Sequence, residues 1–230
     1  MTWFDLDGRA DIGALTTVLD DHERGRAARF PSQLNRDRFV VAHAITRLTL
    51  AGLTGLDPAR LQLSAGTHGK PRLEGAGVDL RFNLSHSHNR ALLAVARGRE
   101  VGVDLERARP VDVLGLARRF FSAGEFAAVS ALAPDERQTA FFRCFTRKEA
   151  FVKAVGLGLA LPLNSFDIGI DTATSEQTHS RDSRPSTWTI VSLDAGDGYA
   201  AAVAAEGRGW TVEHYDSTEP EFPPHENRRT

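Results

Sequence analysis

Cysteine is nearly absent: Cys144 stands alone among 230 residues, so no internal disulfide can staple the fold and no site can be built from several thiolates. That scarcity predicts a reducing, cytoplasmic setting, with Cys144 as a small buried apolar residue. Long apolar runs are missing as well. The longest mainly apolar stretch, 39–53, is broken by His43 and Arg47, well short of the roughly 20 residues that a membrane helix needs. Residues 1–11 carry Asp5 and Asp7 where a secretory signal has a basic stretch and then an apolar one. An excess of one charge is lacking too. Twenty-eight basic and 30 acidic residues leave a net charge of −2, so no global field draws the chain onto nucleic acid, and any anion site must be local. With 41% hydrophobic and 25% charged residues, disorder and a coiled-coil rod are both excluded. The length suits one large domain or two small ones.

Apolar spacing predicts helices over 11–29 and 34–51, separated by Pro31 and ended by Gly52. Short apolar runs at 60–63, 80–84, 91–96 and 101–106 read as strands, the last two joined as a hairpin through Arg97-Gly98-Arg99-Glu100. Helical patterns return at 111–120, 122–132 and 135–155, and strand-like runs at 165–170, 187–193, 199–205 and 210–215. The Ser-, Thr- and Asp-rich segment 171–186 reads as a loop, and 216–230, with Pro220, Pro223 and Pro224, as a disordered tail. Helices followed by strands, twice over, predict an α+β protein of two similar halves, 1–106 and 107–215.

Several short patterns carry chemistry. In Val101-Gly102-Val103-Asp104-Leu105-Glu106 the strand period of two puts both carboxylates on one face. They repel each other unless a proton or a cation intervenes, and Mg²⁺ is the hard ion that takes such oxygens; a solvated strand end is the plainer alternative. Glu149 and Lys153 are one helical turn apart on the predicted 135–155 helix, which suits an ion pair. The segment Phe82-Asn83-Leu84-Ser85-His86-Ser87-His88 ends a strand in short hydrogen-bonding groups. Gly69-Lys70-Pro71 offers a loop cation without the pattern of a Walker phosphate loop. Arg24, Arg26, Arg29, Arg36 and Arg38 make a local basic cluster, which by itself reads as a solvated helix face.

The order of these patterns is more specific than any one of them. Gly69-Lys70-Pro71, Phe82-Asn83-Leu84-Ser85-His86-Ser87, Gly102-Val103-Asp104-Leu105-Glu106, Phe120-Phe121-Ser122-x-x-Glu125 and Phe145-x-x-Lys148-Glu149-Ala150-x-x-Lys153-x-x-Gly156 follow one another. Together they resemble the 4′-phosphopantetheinyl transferases, in particular the larger, monomeric class of the surfactin-synthetase activator. The resemblance covers about 24–166.

It implies a pseudo-dimer of two α+β halves with coenzyme A between them. The implied reaction is transfer of the phosphopantetheine arm of coenzyme A to a serine of an apo acyl or peptidyl carrier protein, with release of adenosine 3′,5′-bisphosphate. By the same resemblance Asp104, Glu106 and Glu149 bind Mg²⁺, with Mn²⁺ as a substitute. Lys153 neutralises charge on the pyrophosphate. Lys70, Ser85 and His86 contact coenzyme A, and Arg26, Arg29 and Arg38 clamp its 3′-phosphate. Glu149, or a metal-bound water that it orients, is the expected base for the carrier serine. Phe145 departs from the tryptophan common at that position, keeping an aromatic anchor. Carrier domains are usually acidic around their serine, so Arg107, Arg109, Arg118 and Arg119 are candidates for a docking surface. The rival readings are a metal-dependent phosphoesterase acting on coenzyme A and a non-catalytic binding module. Neither nucleic acid nor a membrane is an expected partner.

Overall fold

The computed structural model describes residues 1–8, 11–181 and 184–216. It is an α+β fold arranged as helix, sheet, sheet, helix. The first sheet has the order β10 (Tyr215–Asp216), β1 (Thr2–Asp5), β5 (Arg90–Arg97), β4 (Leu80–Ser87). The second has the order β6 (Val101–Arg107), β9 (Tyr199–Glu206), β8 (Arg184–Leu193), β7 (Thr174–Arg181). A small hairpin, β2 (Gln62–Ala65) with β3 (Pro71–Glu74), stands apart.

Alternation along the inner strands builds the layers. Ala91 and Leu93 of β5 pack with Val41, Ala42 and Ile45 of the 22-residue helix α3 (Gln33–Thr54). Their neighbours Leu92 and Ala94 pack against Val101, Val103, Ala201, Val203 and Ala205 of the second sheet. On β9 the pattern is inverted: Ala202 and Ala204 turn to Ala150, Phe151 and Ala154 of α6 (Pro134–Val155), also 22 residues long. The seat of α6 on β6 depends on Gly102. A Cβ there would stand 2.2 Å from the Ala154 backbone nitrogen and 2.3 Å from the Ala150 carbonyl oxygen, so only glycine lets the helix come this close.

Several expectations need correction. β5 and β6 form no hairpin: β5 is flanked on both edges by β1 and β4, so β6 joins the second sheet as an edge strand. The expected first half therefore lends its last strand to the second sheet, and β10 returns to the first. The expected helix 11–29 is two, α1 (Ile12–Thr17) and α2 (Asp21–Ala28), because Asp20 and Glu23 close a capping box that starts a new helix. Residues 165–170 form no strand, since buried and half-buried side chains claim their backbone. Arg147 binds the carbonyls of Ile168 and Gly169, Arg143 that of Ile170 and Lys148 that of Phe166, and Glu125 accepts from the Ile168 N–H. The expected loop 171–186 contains β7, whose polarity on both faces suits a sheet edge. Of 210–215 only Tyr215 enters a strand, while Trp210 and Val212 pack into the inter-sheet core. Asp216 of the expected tail belongs to β10, and 217–230 lie outside the described residues. No described helix is long and apolar enough to cross a membrane.

Candidate active site

The site forms where β4 and β6, edge strands of different sheets, run side by side. An edge strand presents unpaired backbone donors, and β4 satisfies those of β6 with side chains. Asn83 Oδ1 accepts from Val103 N (2.8 Å), Ser85 Oγ from Leu105 N (3.2 Å) and Ser87 Oγ from Arg107 N (3.0 Å). The hydroxyls of Ser85 and Ser87 in turn donate to Asp104 Oδ1 and Glu106 Oε2, both at 3.2 Å.

Helix α6 completes this arrangement. Lys153 reaches across to Asp104 Oδ1 (2.6 Å) and Ser85 Oγ (3.0 Å), not back to Glu149 one turn earlier. Asp104 is buried, and its second oxygen, Oδ2, has no hydrogen-bond partner. Burial first, and the Asp104 charge second, push both the Glu106 and the Glu149 carboxyls above the usual carboxylate range. As they stand, no three His, Cys, Asp or Glu side chains among the described residues are gathered tightly enough to ligate an ion together. The donors nevertheless fit one. They are three mutually repelling carboxylates with an orphaned buried oxygen, and a hard divalent cation relieves both conditions.

Two adjoining cavities open beside these groups. The first, about 740 Å³, lies between α2, α3 and β4, and Arg26, Arg38 and His86 are on its walls. The second, about 560 Å³, has Lys70, Glu149 and Lys153 on its walls, and Gly69, Pro71 and Asn83 border both. Ser85 and His86, neighbours on β4, therefore serve opposite faces: Ser85 is buried against the carboxylates while His86 looks into the first cavity. The protein around the His86 ring lowers its pKa, chiefly by desolvation and then through the Lys153 charge.

The structure treats the remaining cations differently from one another. Arg38 is held by Asp7 through two bonds of 2.7 and 2.8 Å. The Arg26 guanidinium stacks over Phe39, 5.0 Å from the ring centre. Arg29 is exposed at the end of α2 and lines neither cavity. The Lys70 ammonium is almost wholly enclosed, bonded to Glu100 Oε2 (2.7 Å) and to the carbonyls of Val101 (2.9 Å) and Ala154 (2.8 Å).

Sequence reasoning quotes Lys148, Glu125, Asn83 and Ser87 within its patterns but gives them no work in holding the site. Lys148 is fully buried, 2.5 Å from Glu125, which caps α5 (Ala123–Ala131) together with Ser122. The Ser-x-x-Glu spacing before an apolar run was the available signal for that cap. Asn83 and Ser87 stood in plain view in the Phe82–His88 segment, and only the second sheet's position gives them work.

The family model described as the 4′-phosphopantetheinyl transferase superfamily matches residues 100–204, the span holding β6 and α6. The chain is 38% identical over 199 residues to the 4′-phosphopantetheinyl transferase HetI of a Nostoc species, covering 85% of this chain and 82% of that protein. It belongs to the 4′-phosphopantetheinyl transferase superfamily. Its relatives there include the Bacillus subtilis 4′-phosphopantetheinyl transferase Sfp, 28% identical over 82% of this chain and 83% of that one. The Salmonella typhimurium 4′-phosphopantetheinyl transferase AcpT is 43% identical over 111 residues, which is 48% of this chain and 57% of AcpT. As a member of this superfamily the chain is an enzyme of the transferase class.

Proposed function

We propose that the protein transfers the 4′-phosphopantetheine arm of coenzyme A to a serine of an apo acyl or peptidyl carrier protein, giving holo carrier and adenosine 3′,5′-bisphosphate. The observation that carries this reading is the junction of a carboxylate cluster capped by Lys153 with a cavity bearing Arg26, Arg38 and His86. One end suits phosphoryl chemistry, and the other suits the phosphates of a long substrate.

In this reading Asp104, Glu106 and Glu149 hold Mg²⁺, or Mn²⁺ in its stead. The ion, when bound, offsets charge on the diphosphate and on the leaving bisphosphate. Lys153 adds a cation beside Asp104 for the same developing charge. Arg26 and Arg38 meet the 3′-phosphate with planar guanidinium groups, Arg29 contributes from the end of α2, and His86 donates to phosphate from the cavity wall. Ser85 acts by fixing Asp104 and Lys153. Lys70 anchors the loop that borders both cavities. The carrier serine oxygen attacks the phosphorus bearing the pantetheine arm, the bond from that phosphorus to the adenosine bisphosphate breaks, and the serine proton passes to Glu149.

The halves proposed are 1–106 and 107–215, acting as a monomer in the cytoplasm. The buried Cys144 thiol, raised by desolvation and Glu125, is an unreactive part of the core. Coenzyme A consumption followed by chromatography, with and without an apo carrier, tests the reading. Turnover only with carrier, yielding adenosine 3′,5′-bisphosphate, is expected. Free phosphopantetheine formed without carrier would instead make the protein a phosphoesterase.

A further inference from the structure

The seam between the sheets has a constant register. Asn83, Ser85 and Ser87 each accept from the backbone N–H twenty residues on, at Val103, Leu105 and Arg107. Three side chains at alternate positions thus stand in for a backbone ladder, and the strand they hold carries Asp104 and Glu106. A serine hydroxyl has one proton and two lone pairs. At Ser87 a lone pair is taken by Arg107 N, which turns the single proton towards Glu106 Oε2. Asp104 is further fixed by Lys153. Glu106 has instead the looser company of Arg109, at 3.7 Å on the same oxygen.

We infer that Ser87 is a positioning residue for Glu106, coupling the register of the inter-sheet seam to the orientation of that carboxylate. The inference rests on the proposed role of Glu106 as a cation ligand. Partners that orient a ligating carboxylate typically change metal affinity by about 10–100-fold when removed. Ser87→Ala deletes the hydroxyl without touching either cavity, and Ser87→Thr keeps it.

The test is titration of Mn²⁺, read by its electron paramagnetic resonance, into wild type, Ser87→Ala and Ser87→Thr. Amide hydrogen exchange at Val103, Leu105 and Arg107 and the KM for coenzyme A are measured alongside. The expected result is Mn²⁺ affinity about tenfold or more weaker in Ser87→Ala and largely restored in Ser87→Thr. Faster exchange should be confined to Arg107, and kcat should fall while the coenzyme A KM stays near wild type. Equal Mn²⁺ affinity in Ser87→Ala and wild type would overturn the inference. So would a loss that Ser87→Thr fails to restore and that comes with deprotection of all three amides, since Ser87 would then serve the seam alone. A wild type that binds no Mn²⁺ would defeat the cation reading of Glu106, and this inference with it.

Discussion

At the scale of single residues, Lys153 and His86 show how placement alters chemistry. Lys153 meets Asp104 at 2.6 Å with its side chain still 31% exposed, so its ammonium has access to both the carboxylate cluster and the second cavity. Removing a preorganised cation at a developing charge commonly costs about 10²–10³ in kcat. Lys153→Ala should fall in that range, while a rate within a few-fold of wild type would dismiss the electrostatic role. For His86, an exposed residue whose ring is partly desolvated by the cavity wall, that desolvation and then the Lys153 charge lower the pKa below the unfolded value, about 6.5. The native state then binds fewer protons than the unfolded one, so this contribution is whole above pH 6.5 and is lost as pH falls through the window beneath it. Melting temperatures from pH 7 to pH 5 should therefore drop more steeply for wild type than for His86→Gln; parallel curves would contradict this. The residues of the site were legible because their types and order are unusual. Their partners were not: nothing local in Gly69-Lys70-Pro71 reveals that Lys70 will meet Glu100, Val101 and Ala154.

At the scale of elements, long helices with clear periodicity were readable, and β6 and α6 fall close to their expected limits. What failed was pairing. Alternation tells which residues share a face and is silent on which strand lies alongside, so β5 and β6 look like a hairpin until β1 and β4 take both edges of β5. β7 was missed because an edge strand with solvent beside it needs no apolar face. Two substitutions test how elements position the site. Gly102→Ala drives a methyl into the backbone of α6. It should destabilise the protein by at least the ~1–3 kcal/mol typical of overpacking, and it should lower activity further than stability, since Glu149 and Lys153 ride on that helix. A chemical-denaturation midpoint equal to wild type would show that the helix yields freely. Lys148→Met leaves the Glu125 carboxylate buried without its cation, a change that usually costs about 3–5 kcal/mol. Loss of only a few tenths in the same unfolding experiment would mean that the pair is dispensable.

At the scale of the whole molecule, two sheets meet back to back, and the chain crosses between them at 98–100, where Glu100 gathers Lys70 and Arg72. The repeated order of helices and strands suggests two halves, 1–106 and 107–215, while the two sheets do not divide along that boundary. The exchange of β6 and β10 between sheets was hidden, since it depends on pairings between residues far apart in the chain, such as Glu106 with Ala200 and Thr2 with Tyr215. The arginines expected to meet a carrier are disposed unequally. Arg118 and Arg119 are exposed and stack on Phe126 and Phe120, and Arg119 also reaches the second cavity, whereas Arg109 leans towards Glu106. Joint reversal, R118E/R119E, should raise the carrier KM roughly three- to tenfold at low salt and flatten its salt dependence. An unchanged carrier KM and salt slope would remove these arginines from the docking surface. The central claim is transfer of an intact phosphopantetheine group to a protein serine, and intact-protein mass spectrometry of an apo carrier incubated with this enzyme, coenzyme A and Mg²⁺ tests it most directly. The expected result is a single phosphopantetheine mass increment on the carrier that disappears with Asp104→Ala or with chelator. An increment that persists without Asp104 and without metal, or a carrier left unmodified while coenzyme A is consumed, would contradict the account.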